Sequence, residues 1–88
     1  MKLLKLKHVE GFASDPDWHV RKQAAREEFI ALLKKGIGKH MQFRGYNEPG
    51  PMHTGRLIGV GQDTVWFDTV DIYPIQEIII GDQWSEPQ

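Results

Sequence analysis

The stretch GRLIGVGQDTVWF, residues 55–67, alternates apolar side chains with small or polar ones, as a β-strand does, yet carries Gly55, Gly59 and Gly61. Each glycine in a strand loses side-chain packing and costs backbone entropy. Three so close together point to a strand that bends hard, or that another backbone approaches. Leu57, Ile58 and Val60 flank the bend, and Gly61-Gln62-Asp63 reads as the hairpin turn that follows. A chain organised around such a strand is expected to curl its sheet.

Residues 14–36, SDPDWHVRKQAAREEFIALLKKG, carry the period of an amphipathic helix instead. Ser14 or Asp15 can cap it, and Pro16 suits a first turn, where a missing N–H costs nothing. Asp15 and Asp17 sit at the positive end of the helix dipole, and Lys34 and Lys35 at the negative end. Gly36 is expected to make a left-handed stop. Trp18, Ala25, Phe29, Leu32 and Leu33 form an apolar stripe that must lie on something.

After Gly38 the period becomes 2, with Met41 and Phe43 facing one way and His40, Gln42 and Arg44 the other. NEPGP, residues 47–51, is a turn cluster. MHTGRLIGVG, TVWFDT and IQEIIIGD follow as short strands. Residues 1–12 read either as a short strand or as an extended basic arm, and the tail WSEPQ as loose. A flat sheet of four or five short strands leaves two open edges and a naked face. The expected fold is therefore mainly β with an N-terminal α-helix. It comprises a basic extension (1–12), the helix (14–36), a small, strongly bent five-stranded barrel (38–82) and a tail (83–88), all in one domain of 88 residues.

A domain this small is marginal alone. The chain has no cysteine, which removes disulfides and thiolate metal sites. None of His8, His19, His40 and His53 lies three or four residues from another, so no metal site is expected. Self-association remains as a route to extra burial. No apolar run approaches membrane-spanning length, and MKLLKLKHV lacks the long apolar core and cleavage site of a secretory signal, so a cytoplasmic protein without a membrane partner is expected. Charge is unevenly spread: residues 1–50 hold ten Lys and Arg against six acids, and residues 51–88 hold Arg56 against six acids. Such a split can supply a basic face for a ligand, or a basic surface that meets an acidic one on a second copy.

Three places in this layout resemble the Sm-like (LSm) family. Gly55-Arg56-Leu57-Ile58-Gly59-Val60 looks like the family's first motif, Val65-Trp66-Phe67 like its third strand, and Pro74-Ile75-Gln76-Glu77-Ile78-Ile79-Ile80 like its second motif. Together they span roughly residues 16–81, and SH3-like barrels share much of the pattern. The resemblance implies a helix followed by a bent five-stranded barrel, ring assembly through strand edges, and single-stranded RNA as ligand. The polar residues that hold a base in the family match Gly61 and Val65 here, with Asp63 near enough to stand in. Tyr73 stands where a basic residue or histidine is usual.

RNA needs positive charge and flat side chains. The candidates are His40, Arg44, Tyr46, Arg56, Asp63 and Tyr73 on the barrel and Arg21, Lys22 and Arg26 on the helix. Each also has a plain reading as a solvated or packed residue. Ile78, Ile79 and Ile80 are consecutive, so the last strand is apolar on both faces. They and Trp66 are the candidate subunit contacts, with Trp66 also able to act as a base platform or to pack under the helix. The competing function is a protein-interaction or scaffold module, which Asp68, Asp71, Asp82 and Glu86 would suit. Asp63, Asp68, Asp71 and His53 are the only material for catalysis. There is no phosphate loop or nucleophile elbow, so neither an enzyme nor a cofactor is expected.

Overall fold

The computed structural model describes residues 1–69 and 71–86. Helix α1 spans Pro16–Lys35. The Asp15 side chain accepts the Asp17 N–H at 2.9 Å and Pro16 occupies the first turn, so the start is capped as its residues dictate. Ala25, Phe29 and Leu33, four residues apart, form its buried face. Gly36 is not a left-handed stop: it caps the helix in the right-handed region. A Cβ there would lie 2.8 Å from Met41 Cε and 3.3 Å from the Trp84 ring, so a larger residue would have to displace the tip of Met41.

Six strands follow the order β1-β6-β2-β3-β4-β5, all pairs antiparallel. They are β1 (Leu3–Leu4), β2 (His40–Gly45), β3 (His53–Val60), β4 (Thr64–Phe67), β5 (Ile72–Pro74) and β6 (Ile78–Gly81). A 3-10 turn over Ile75–Glu77 leads into β6, so the strand begins later than the apolar run Ile75–Ile80 implied.

Strand β3 belongs to two halves of the sheet, as its glycines led us to expect. His53–Arg56 pair with β2, and Leu57–Val60 pair with β4, with a register shift between Leu57 and Gly59. At Gly59 a Cβ would overlap the Trp66 indole, and at Gly55 it would lie 2.9 Å from Asp68 Oδ1. Gly61 is different: its nearest neighbour, Thr64 O, would be 3.6 Å away, an ordinary contact. Two of the three glycines are therefore demanded by crowding at the bend, and the third is not.

The sheet does not close into the expected five-stranded barrel. It is open, with β1 and β5 as its edges, and β1 is a strand that the barrel reading did not include. The edges are two and three residues long and do not pair with each other. The helix covers the face instead. Phe29 and Leu33 join Met41, Phe43, Leu57, Val65, Phe67, Ile75, Ile78 and Ile80 in one core. Phe43 and Phe67 stack at its centre, with ring centroids 3.6 Å apart and planes 7° from parallel. The chain after β6 is not loose over residues 83–86. His40 and Ser85 exchange backbone hydrogen bonds of 2.8 and 3.0 Å, and Trp84 packs against the core while donating to Gly81 O at 2.8 Å. The last two residues of the expected tail, 87 and 88, lie outside the described residues.

Candidate nucleic-acid interface

The N-terminal segment crosses the molecule between two anchors. At one end Leu3–Leu4 pair with β6, and Lys2 N–H donates to Asp82 Oδ1 at 3.0 Å. At the other, Trp18 Nε1 donates to Val9 O at 2.9 Å and Arg21 to Glu10 O at 3.2 Å, fixing the arm to α1. Between arm, helix and the end of β2 lies a cavity of about 430 Å³. Lys5 and Lys7 enter it from the arm, Trp18, Lys22 and Arg26 from α1, Tyr46 from the residue after β2, and Gln76 from the 3-10 turn. No carboxylate lines it. A second cavity of about 530 Å³ shares Leu6, Lys22, Arg26 and Gln76 with the first and ends at Asp63, Thr64 and Pro74. The two adjoin as one groove, with Lys22 and Arg26 where they meet.

Four cations around one concavity focus a positive potential there. Its aromatic rings are already paired with cations: Lys5 Nζ lies 5.2 Å from the Tyr46 ring centroid and Lys22 Nζ 4.6 Å from that of Trp18. Trp18 is half-buried, whereas Tyr46 is 56% exposed. Arg26 donates to Asp63 Oδ1 at 2.6 Å and to Gln62 O at 2.9 Å, tying the helix to the β3–β4 turn.

Of the residues named from sequence, the groove brings together Lys22, Arg26, Tyr46 and Asp63. Arg21 does not line this groove; it lines an adjoining cavity that shares Lys7, His8 and Val9 with the first and carries Glu10 and Glu28. His40 and Arg56 face each other across β2 and β3, away from the groove. Arg44 is spent on the β2–β3 turn, donating to Glu48 O at 3.2 Å and Gly50 O at 3.4 Å. Sequence reasoning missed Lys5 and Lys7 as site residues, although the alternating lysines of MKLLKLKH were the available signal. It also missed Gln76, for which no local pattern exists, and took Trp18 as core or interface.

Tyr73 belongs to a different cluster. Its hydroxyl donates to Glu48 Oε2 at 2.9 Å, the Gly45 N–H donates to the same oxygen at 3.1 Å, and Glu48 Oε1 bonds His53 Nε2. His53, then the Gly45 amide and Tyr73, hold the Glu48 carboxyl down at about 2. Glu48 in turn raises His53, while burial, followed by the bond to Glu48, raises Tyr73. Every oxygen of the carboxylate is occupied, and Tyr73 packs edge-on against Phe43 and Phe67. This is a staple between the β2–β3 turn and β5, not a base platform. Among the described residues no group of three His, Cys, Asp or Glu is placed to hold a metal ion.

The isoleucines expected at a subunit contact are consumed within the chain. Ile78 and Ile80 are in the core, and even Ile79, which points the other way, is only 6% exposed. The outer edge of β6 is occupied by β1. At the opposite edge an exposed apolar pair remains, Trp66 (37% exposed) beside Ile72 (68% exposed) across the β4–β5 pair. Comparisons with protein-family models, curated proteins and solved structures return no match. Among the described residues no helix is long and apolar enough to cross a membrane.

Proposed function

We propose that this protein binds single-stranded RNA without catalysing a reaction on it, and that it does so as an assembly of identical copies. The observation that carries the RNA reading is the convergence of Lys5, Lys7, Lys22 and Arg26 with the Trp18 and Tyr46 rings on one cavity that no carboxylate lines. Lysine and arginine take phosphates, and the exposed Tyr46 ring takes a base. A groove of cations beside an exposed ring suits a single strand whose bases are free to stack.

The helix and the bent strand β3, shared between two halves of the sheet, are the parts of the Sm-like or SH3-like pattern that this chain retains, although its sheet has six strands and stays open. Assembly then follows the free edges. The β5 edge carries Ile72 and is flanked by Asp68 and Asp71, while the β1 edge at the other end of the sheet is flanked by Lys2 and Lys5. Pairing β5 of one copy with β1 of the next covers both edges and matches opposite charges.

The test is a fluorescence anisotropy titration with labelled U-rich and A-rich single-stranded oligonucleotides. Four phosphate contacts give a log–log salt slope of about −2.8, a loss of roughly 50-fold in affinity between about 50 and 200 mM salt. Absence of binding at the lower salt, or binding indifferent to salt, refutes the proposal. In the second case an apolar protein partner for the Trp66–Ile72 edge becomes the better reading.

A further inference from the structure

Resting on that reading of the groove, we infer that Asp63 is a built-in competitor of the phosphate, holding Arg26 in the free protein and releasing it when the polynucleotide binds. Arg26, like Lys22, lines both halves of the groove, and it is the one of the two that a carboxylate holds, so a strand threading the groove passes a guanidinium already engaged. Asp63 is the sole carboxylate lining either half. Its Oδ1 takes an Arg26 N–H at 2.6 Å. Carboxylate and phosphate oxygens seek the same guanidinium fork, so the two compete for it.

The geometry makes Asp63 displaceable. Its side chain is 85% exposed, against 24% for Arg26. Its backbone is held independently, since Asp63 O accepts the Ile75 N–H at 2.9 Å. The carboxylate can therefore swing away without moving the turn. Arg26 keeps its bond to Gln62 O meanwhile and stays aimed along the groove. An ion pair this exposed is weak, so a phosphate held by several cations can break it. Asp63 thus enters as an opponent of the ligand rather than as a residue that holds a base.

The test compares wild type, Asp63→Asn, Asp63→Glu, Arg26→Gln and the double variant Asp63→Asn/Arg26→Gln with the labelled oligonucleotides above, each checked for folding by circular dichroism. Asp63→Asn keeps the shape and removes the charge, and is expected to bind about two- to fivefold tighter than wild type. Asp63→Glu keeps the charge and stays near wild type. With Arg26 gone, Asp63→Asn gives less than half of that gain, because the two residues act through one contact. Unchanged or weaker binding by Asp63→Asn overturns the inference while leaving the RNA reading intact. An equal gain in the Arg26→Gln background reduces it to a general charge effect and also overturns it. If neither wild type nor Asp63→Asn binds at low salt, the RNA reading falls and takes this inference with it.

Discussion

Replacing Gly59 by Ala tests why the strand carries glycine, and the paired replacement of Gly61 supplies the control two residues away. At position 59 the new methyl overlaps the Trp66 indole, so the ring must lift. Trp66 is only 37% exposed, and raising it uncovers about 60–80 Å² of apolar surface, worth roughly 1.5–2 kcal/mol at about 25 cal/mol per Å². Alanine restricts the unfolded chain and offsets about 0.4–1 kcal/mol of this. The net cost is about 1 kcal/mol, a fall of roughly 4–8 °C in Tm for a domain of this size. At position 61 the methyl meets Thr64 at 3.6 Å and Trp66 Cζ3 at 3.8 Å, both ordinary contacts, so the entropy effect dominates and Gly61→Ala is neutral or stabilising by up to about 1 kcal/mol. Urea denaturation of both variants, read by far-ultraviolet circular dichroism, measures the difference. Adding Trp66→Ala to Gly59→Ala removes the overlap, so the penalty of the alanine disappears in that background. Equal costs at positions 59 and 61, or a Gly59 penalty that survives loss of the indole, would refute the crowding argument.

Leu57 is wholly buried at the bend while its neighbour Ile58 is exposed. Leu57→Ala is therefore expected to cost about 2–5 kcal/mol and Ile58→Ala less than about 0.5 kcal/mol in the same denaturation assay. The Glu48–His53 pair gives stability a pH optimum. His53 is raised above its ordinary 6.5, so its contribution is full below that value and fades as pH rises through the elevated one. Glu48 is lowered from 4.5 to about 2, so its contribution is full above 4.5 and fades as pH falls toward 2. Thermal melts should plateau between these ordinary values and drop on both sides, and Glu48→Gln should flatten the profile. Ile72→Lys places a charge on the free β5 edge and is expected to lower the native mass by light scattering without lowering Tm. An unchanged mass would remove β5 from the assembly contact.

The helix was legible because its signals are local. Asp15, Pro16 and the four-residue spacing of Ala25, Phe29 and Leu33 act within a few turns, and the structure uses each of them. The division of β3 was also legible, since a strand bend leaves glycines behind. Half of the groove could be read from charge and aromaticity at Lys22, Arg26 and Tyr46. His40, Arg44, Arg56 and Tyr73 could not be sorted from them, because residue type does not say which side chain is spent on a turn carbonyl or a carboxylate.

What the amino-acid order determined by itself was periodicity and crowding: one capped amphipathic helix, short alternating strands, and a bend where side chains leave no room. What tertiary structure alone decided was closure and convergence. β1 took the outer edge of β6, which covered the strand carrying the isoleucines and left β1 and β5 as the open edges. That same pairing laid the arm beside α1, bringing Lys5 and Lys7 against Lys22 and Arg26. The physical reason is that pairing of β1 with β6 joins residues nearly eighty positions apart. Such contacts depend on loop closure and on which edges remain unpaired, and no short window of sequence contains either.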